Sequence, residues 1–142
     1  MGLAIFSKDW ADSWKSNLNQ SSAYKAAAAT WEWPLVVVIQ PDPGVGVPEA
    51  LKVYLDLFRG DCKEARPATP EDIEKVPFVL EGSPSTWKDV LNGKKEVVAG
   101  IMTGMLKLSK GNMFSLAGYT TAATELVNAA RGIDTEFPPG LA

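Results

Sequence analysis

The apolar positions change period several times along the chain, and each change marks a different element. Between Ser7 and Asn19 the residues Trp10, Ala11, Trp14 and Leu18 recur at helical spacing, with Lys8, Asp9, Asp12, Lys15 and Asn17 around the rest of the wheel. Ser7 supplies the oxygen that a helix needs at its N-cap, so an amphipathic helix is expected. A second helix should begin at Ser21 or Ser22, with Tyr24, Ala27, Ala28 and Trp31 on one stripe and the alanine run 26–29 raising its propensity. The spacing of Trp10, Trp14 and Trp31 reads as packing of helix against sheet. From Trp33 to Gln40 the chain turns β-branched, with Pro34 where a strand can begin.

Residues 41–48 are dense in turn formers and include Gly44-Val45-Gly46. No helical pattern follows these glycines and no Lys-Ser or Lys-Thr closes the motif, so the stretch reads as a hairpin loop and not as a phosphate cradle. Leu51, Val53, Leu55 and Leu57 then alternate with Lys52, Tyr54 and Asp56, the period of a strand with one buried face. Arg59-Gly60-Asp61 breaks the alternation and Cys62–Arg66 resumes it, as in an antiparallel hairpin. Thr69-Pro70-Glu71-Asp72 resembles a capped acidic helical turn, and Val76, Phe78 and Leu80 alternate as a fourth strand. A helix bearing Trp87, Val90 and Leu91 should run to Asn92-Gly93. A shorter one over 94–102 carries Val97, Val98, Ile101 and Met102. Residues 105–109 suit a fifth strand, and Ala122, Ala123, Leu126, Val127, Ala130 and Ile133 mark a last helix. The order predicts one α+β domain over 1–142, its largely antiparallel sheet covered on one face by helices.

Composition narrows the chemistry. The 142 residues are 46% apolar and 22% charged, values of a globular chain and not of a disordered, collagenous or disulfide-framed one. Fourteen basic residues against 17 acidic ones give a net charge of −3, and the lysines are scattered, so no nucleic-acid partner is expected. The longest strictly apolar run, Leu35–Ile39, falls far short of the roughly 20 residues of a membrane span, and Met1–Phe6 is too short for a secretory leader. The absence of histidine removes the commonest acid–base catalyst and metal ligand. Cys62 stands alone, which suits a reducing compartment, the cytoplasm by default. No His-assisted nucleophile is available, the carboxylates Glu71, Asp72 and Glu74 read as first-turn helix acids, and no Asp-x-Asp-x-Asp spacing occurs. No catalytic residue, metal or cofactor is expected.

Three of the four methionines, Met102, Met105 and Met113, fall within twelve residues, beside Ile101, Leu106, Leu108, Phe114 and Leu116. Such adaptable side chains either line a cavity for a hydrophobic ligand or plug an irregular core.

The stretches Phe78–Gly82, Trp87-Lys88-Asp89-Val90-Leu91-Asn92-Gly93 and Gly104–Met113 together resemble the sterol carrier protein 2 family. The family shares the strand ending in a small polar turn, the tryptophan helix ending in Gly, the short helix, and the strand flanked by glycines. The resemblance extends over nearly the whole chain. It implies a five-stranded sheet with helices over one face, around a tunnel for a fatty acid, fatty acyl-CoA, phospholipid or sterol. On that basis the apolar inner face of Leu51, Val53, Leu55 and Leu57 forms the floor, Leu55 and Leu57 touching the ligand together with Phe78 and Trp87. Ile101, Met102, Met105, Leu106 and Leu108 form one part of the wall, and Met113, Phe114 and Leu116 another. Leu126 and its helix form the lid. A cavity of roughly 300–1,000 Å³ touching a methionine is expected. The final residues Gly140-Leu141-Ala142 differ from the Ser-Lys-Leu type of peroxisomal address. Transient membrane contact and a homodimer are compatible with this reading. The alternatives are an accessory or dimerisation module of a larger lipid-metabolising enzyme and a small acyl-processing enzyme.

Overall fold

After a two-residue strand β1 (Leu3–Ala4), Ser7 opens α1 (Lys8–Gln20) by accepting the Trp10 N–H on its side chain. The computed structural model describes residues 2–141; Met1 and Ala142, which the readings of the two chain ends include, lie outside the described residues. The whole apolar stripe of α1, Trp10, Ala11, Trp14 and Leu18, is buried. Ser21 ends α1 and caps α2 (Ser22–Ala27) through the Tyr24 N–H. Phe6, just before α1, holds a positive φ of 60°, which a side chain this large adopts only under constraint. Its ring is wedged between Trp10 and Trp87, with centroids at 5.1 and 5.7 Å.

The main sheet comprises β2 (Leu35–Ile39), β3 (Leu51–Phe58), β4 (Asp61–Pro67), β5 (Phe78–Gly82) and β6 (Leu106–Lys110), in the order β4-β3-β2-β5-β6. Every pairing is antiparallel except β2 with β5, which runs from Leu35↔Phe78 to Ile39↔Gly82. Val36–Ile39 of this central strand are all buried, which is why the sequence there is a continuous β-branched run and not an alternation. The β3–β4 turn is Arg59-Gly60, with φ of 49° and 87°, the two positive values that a tight hairpin matching strand twist requires.

The main core lies between this sheet and α1, α2 and the helices of the C-terminal half: α4 (Pro84–Leu91), α5 (Val97–Met102) and α7 (Thr120–Arg131). A smaller cluster of Val36, Val38, Val76 and Val79 occupies the opposite sheet face under Ile73 of α3 (Pro70–Lys75). Val76 therefore does not share a strand face with Phe78 and Leu80, as the alternation suggested. It caps α3 and faces the smaller cluster, whereas Phe78 points into the main core.

Besides β1, two further elements escaped the sequence pattern. One is α6 (Met113–Ala117), capped by the Asn112 side chain and too short to display a period. The other is β7 (Thr135–Glu136), which pairs in parallel with β1 and ties the two ends of the chain together.

The attachment of α3 generates a test. Arg66 grips Asp72 with both guanidinium nitrogens, at 2.6 and 3.0 Å, and Asp72 also accepts the Thr69 N–H in a capping box. The guanidinium beside it, then the Thr69 donors, hold the Asp72 carboxyl well below the usual carboxylate range. Asp72→Asn should cost roughly 1–2 kcal/mol in urea unfolding at neutral pH. Because the folded-state pKa is depressed, that difference should be complete above about pH 4 and shrink as the pH falls further. A difference that persisted undiminished in strong acid would contradict the assignment.

Candidate functional site: an apolar seam beneath α6 and α7

Where α7 and α6 pass over β2, β5 and β6, close packing is incomplete. Two neighbouring voids of about 40 and 50 Å³ remain, sharing Trp31, Leu35, Leu116, Ala123 and Leu126 in their walls. The first continues to Tyr24, Leu57 and Tyr119. The second continues to Trp14, Val37, Phe78, Trp87 and Leu108. The gap exists because α7 presents Ala122 and Ala123 toward the sheet, side chains too short to reach the opposing strands.

The polar atoms of the tryptophans around the seam are already engaged. The indole N–H of Trp14 donates to Leu126 O at 2.9 Å, that of Trp31 to Trp33 O at 2.7 Å and that of Trp87 to Val38 O at 2.8 Å. Among the described residues no buried side-chain nitrogen or oxygen lacks a partner. The seam thus offers a surface almost entirely of carbon, an environment that favours alkyl chains over polar ligands.

At one end the seam approaches the surface through an aromatic cluster. Trp31 meets Phe78, Trp33 and Tyr119 at centroid distances of 5.0, 5.1 and 4.9 Å, and the Tyr119 hydroxyl lies 3.0 Å from Thr30 Oγ1. Gly111, at φ of 114°, lets the chain turn from β6 into α6 directly against the Phe78 ring, where any Cβ would collide with it. Leu116 of α6 then covers the voids from outside.

Six of the residues expected to touch a ligand line the voids: Leu57, Phe78, Trp87, Leu108, Leu116 and Leu126. Leu55 is buried in the core beside them without lining either void. Ile101, Leu106, Leu108 and Met113 border a shallow, open groove of about 490 Å³ along the edge of β6. Met102, Met105 and Phe114 are exposed by 76%, 42% and 89%. The expectation of a methionine-walled internal cavity of several hundred cubic ångströms is corrected accordingly. The buried positions of α5 are Val97 and Gly100, which turns Met102 outward, and α6 directs Leu116 at the seam with Phe114 to solvent. Trp14, Trp31 and Leu35 are lining residues that the pattern marked as core or strand; their aromatic and β-strand character carried no sign of an adjoining void.

The expected lid helix is also anchored. Besides the Trp14 bond, Asn17 Nδ2 donates to Ala129 O at 3.0 Å and Arg131 Nε to Val90 O at 3.0 Å, all on the C-terminal half of α7. The lightly held part of the cover is α6, which has no buried residue.

Cys62 is buried on β4, and burial pushes its thiol up to about 12, so it is protonated at neutral pH. Among the described residues no group of three or more Cys, Asp or Glu could hold a metal, and no helix is long and apolar enough to cross a membrane. Cys62 should resist a disulfide-exchange reagent in the folded protein at pH 8 and react stoichiometrically once urea unfolds it. Rapid labelling of the native thiol would show that β4 opens.

Several solved structures share this arrangement. A crystal structure of sterol carrier protein 2 superposes with a TM-score of 0.83 at 40% identity, covering 91% of this chain and 98% of the other. The solution structure of a conserved hypothetical protein from Thermus thermophilus, provisionally described as a sterol carrier protein, gives 0.83 at 38% identity, with 95% of each chain covered. The apo form of sterol carrier protein 2 from Yarrowia lipolytica shares the fold at a TM-score of 0.57 and 20% identity, covering 85% of this chain and 88% of that one. No protein-family model and no curated protein matches the chain.

Proposed function

The chain belongs to the sterol carrier protein 2 family, and we propose that it binds and carries a lipid whose acyl chain occupies the seam beneath α6 and α7. The observation that carries the proposal is the pair of adjoining voids walled by carbon, with the indole N–H groups around them already bonded. Each methylene brought into the seam from water contributes about 0.8 kcal/mol. A ligand cavity ordinarily measures roughly 300–1,000 Å³, so admission of a chain requires the cover to move outward. α6 is the part that moves, between Gly111 and the anchored half of α7. Two small voids in line widen into a narrow channel more readily than into the broad slot a rigid sterol nucleus needs, which favours a fatty acid, an acyl-CoA or the acyl chain of a phospholipid. Residues 1–142 act as one domain in this reading, in a reducing compartment such as the cytoplasm, where a free buried Cys62 is stable. The function is carriage and not turnover: no histidine is present, and the buried Cys62 thiol stays protonated at neutral pH.

Native mass spectrometry of the purified protein should show a co-purified lipid, and a fluorescent fatty acid should compete for its site. Leu126→Asp places an unpaired carboxylate at both voids and should weaken fatty-acid binding tenfold or more, a larger effect than its shift of the urea midpoint accounts for. Unchanged affinity with a lowered midpoint would make Leu126 plain core and remove the seam as the binding site. Chelators should alter neither the midpoint nor the affinity.

A further inference from the structure

Residues 112–119, which comprise α6 and the joint to α7, are fastened at one point. Among the described residues, the only hydrogen bonds that tie this segment to a distant part of the chain are the two between Tyr119 and Thr30. The Tyr119 O–H donates to Thr30 O at 3.2 Å, and its oxygen lies 3.0 Å from Thr30 Oγ1. A phenol has a single hydrogen, so the Thr30 hydroxyl is the donor in the shorter bond. The other side-chain bonds of the segment are local, from the Phe114 N–H to Asn112 Oδ1 and from Thr120 Oγ1 to the Ala117 carbonyl. Thr30 is exposed and Tyr119 half-buried, so both bonds lie within reach of water, and a hydrogen bond exchanged for one to water is lost at little net cost.

Tyr119 also stands where inside meets outside. It lines the internal void of about 40 Å³ and, equally, an open surface groove of about 650 Å³ between α2 and the α6–α7 joint. Ala23, Ala26 and Ala27 border the groove on one side and Ala117 and Gly118 on the other, residues too small to obstruct a ring that turns outward. Trp31, nearly perpendicular to the Tyr119 ring at a centroid distance of 4.9 Å, lines both voids and backs that ring from the seam. We propose that Tyr119 is the gate of the seam: its hydroxyl latches the α6–α7 joint onto Thr30, and release of the latch lets the ring turn into the groove and α6 lift, so that an acyl chain passes between α2 and the joint. The latch is made with the seam empty and is remade once a chain is inside, so it governs the rate of passage and not the strength of binding. This deepens the carrier reading and rests on it for the cargo, whereas the opening itself belongs to the empty protein.

Tyr119→Phe removes the hydroxyl and keeps the ring, and Thr30→Val removes Oγ1 and keeps the carbonyl. Each variant is followed by amide hydrogen exchange of the empty protein and by stopped-flow uptake and release of a fluorescent fatty acid. In Tyr119→Phe, exchange over residues 112–119 should quicken about fivefold while that of β2 and β5 stays as it was, and uptake and release should quicken together by a similar factor. Thr30→Val should move both readouts the same way by less, because the Thr30 carbonyl still accepts the Tyr119 O–H. Exchange that is unaltered in Tyr119→Phe, or that quickens equally in β2 and β5, would overturn the gate, the second because the hydroxyl would then support the whole fold. Faster release without faster uptake would overturn it too, since the hydroxyl would then be a contact of the bound ligand and not a latch. Faster local exchange in a protein that takes up no fatty acid would support the latch while refuting the carrier reading. Fatty-acid uptake and release at unaltered rates in both variants would refute the gate and leave the carrier reading standing.

Discussion

The two indole N–H groups of α1 hold the molecule in its particular shape. Trp14 donates to Leu126 O and Trp10 to Thr135 Oγ1 at 2.9 Å, so one helix face pins α7 and the short β1–β7 sheet to itself. Farther along the same helix, Asn19 completes the hydrogen bonding of β4 at Cys62. α1 is therefore a strut between one sheet edge and the helical layer, and it sets the height at which α7 passes over β2. Both indoles are buried, and a buried N–H without its acceptor costs about 1–3 kcal/mol, so α7 cannot slide without breaking bonds as well as contacts. The strained backbone of Phe6 is held by the same ring stack that orients Trp10.

Fixing α7 at that height creates the seam. Ala122 and Ala123 face the sheet from a helix that cannot settle closer, and Leu116 from the five-residue α6 helps to close the space left over. The walls differ in mobility for a physical reason. The floor of β2, β3 and β5 is bonded on both sides within the sheet, whereas α6 contributes no fully buried side chain and is entered through Gly111 at a left-handed φ. Elements with few buried apolar contacts open at the lowest free energy, and ligand passages are drawn from them. A carrier needs that asymmetry, because a cavity rigid on all sides neither admits nor releases a chain.

The opposite sheet face solves a separate problem. Val36 and Val38, with Val79 beside them on β5, would be exposed if the sheet were covered on one side only, and α3 hides them with Ile73 and its C-cap Val76. Arg66 anchors this small layer by gripping Asp72 while stacking over Tyr54 at 4.5 Å. The parallel β2–β5 pair follows from it, since the α3 crossover carries the chain past the β3–β4 hairpin and back to the free side of β2.

Features that depend on neighbours along the chain were legible in the amino-acid order alone. Ser7, Ser21 and Thr69 announced helix starts because a cap bonds a group two or three residues away, and Leu51–Leu57 announced a half-buried strand because alternation is a property of the strand alone. The resemblance carried by Phe78–Gly82, Trp87–Gly93 and Gly104–Met113 identified the family, which two solved relatives at 38% and 40% identity bear out. Six of the expected ligand contacts reached the seam because they lie on inward faces of regular elements. The direction of the methionines and the size of the space, by contrast, emerged only once the elements were packed. Met102 and Phe114 sit on helices of six and five residues, too short for a period to say which side is inward. The voids arise from the height of α7, which is set by Trp14, more than a hundred residues away from Leu126 in the chain. No local pattern records a distance of that kind, because it is a property of packed surfaces and not of any segment.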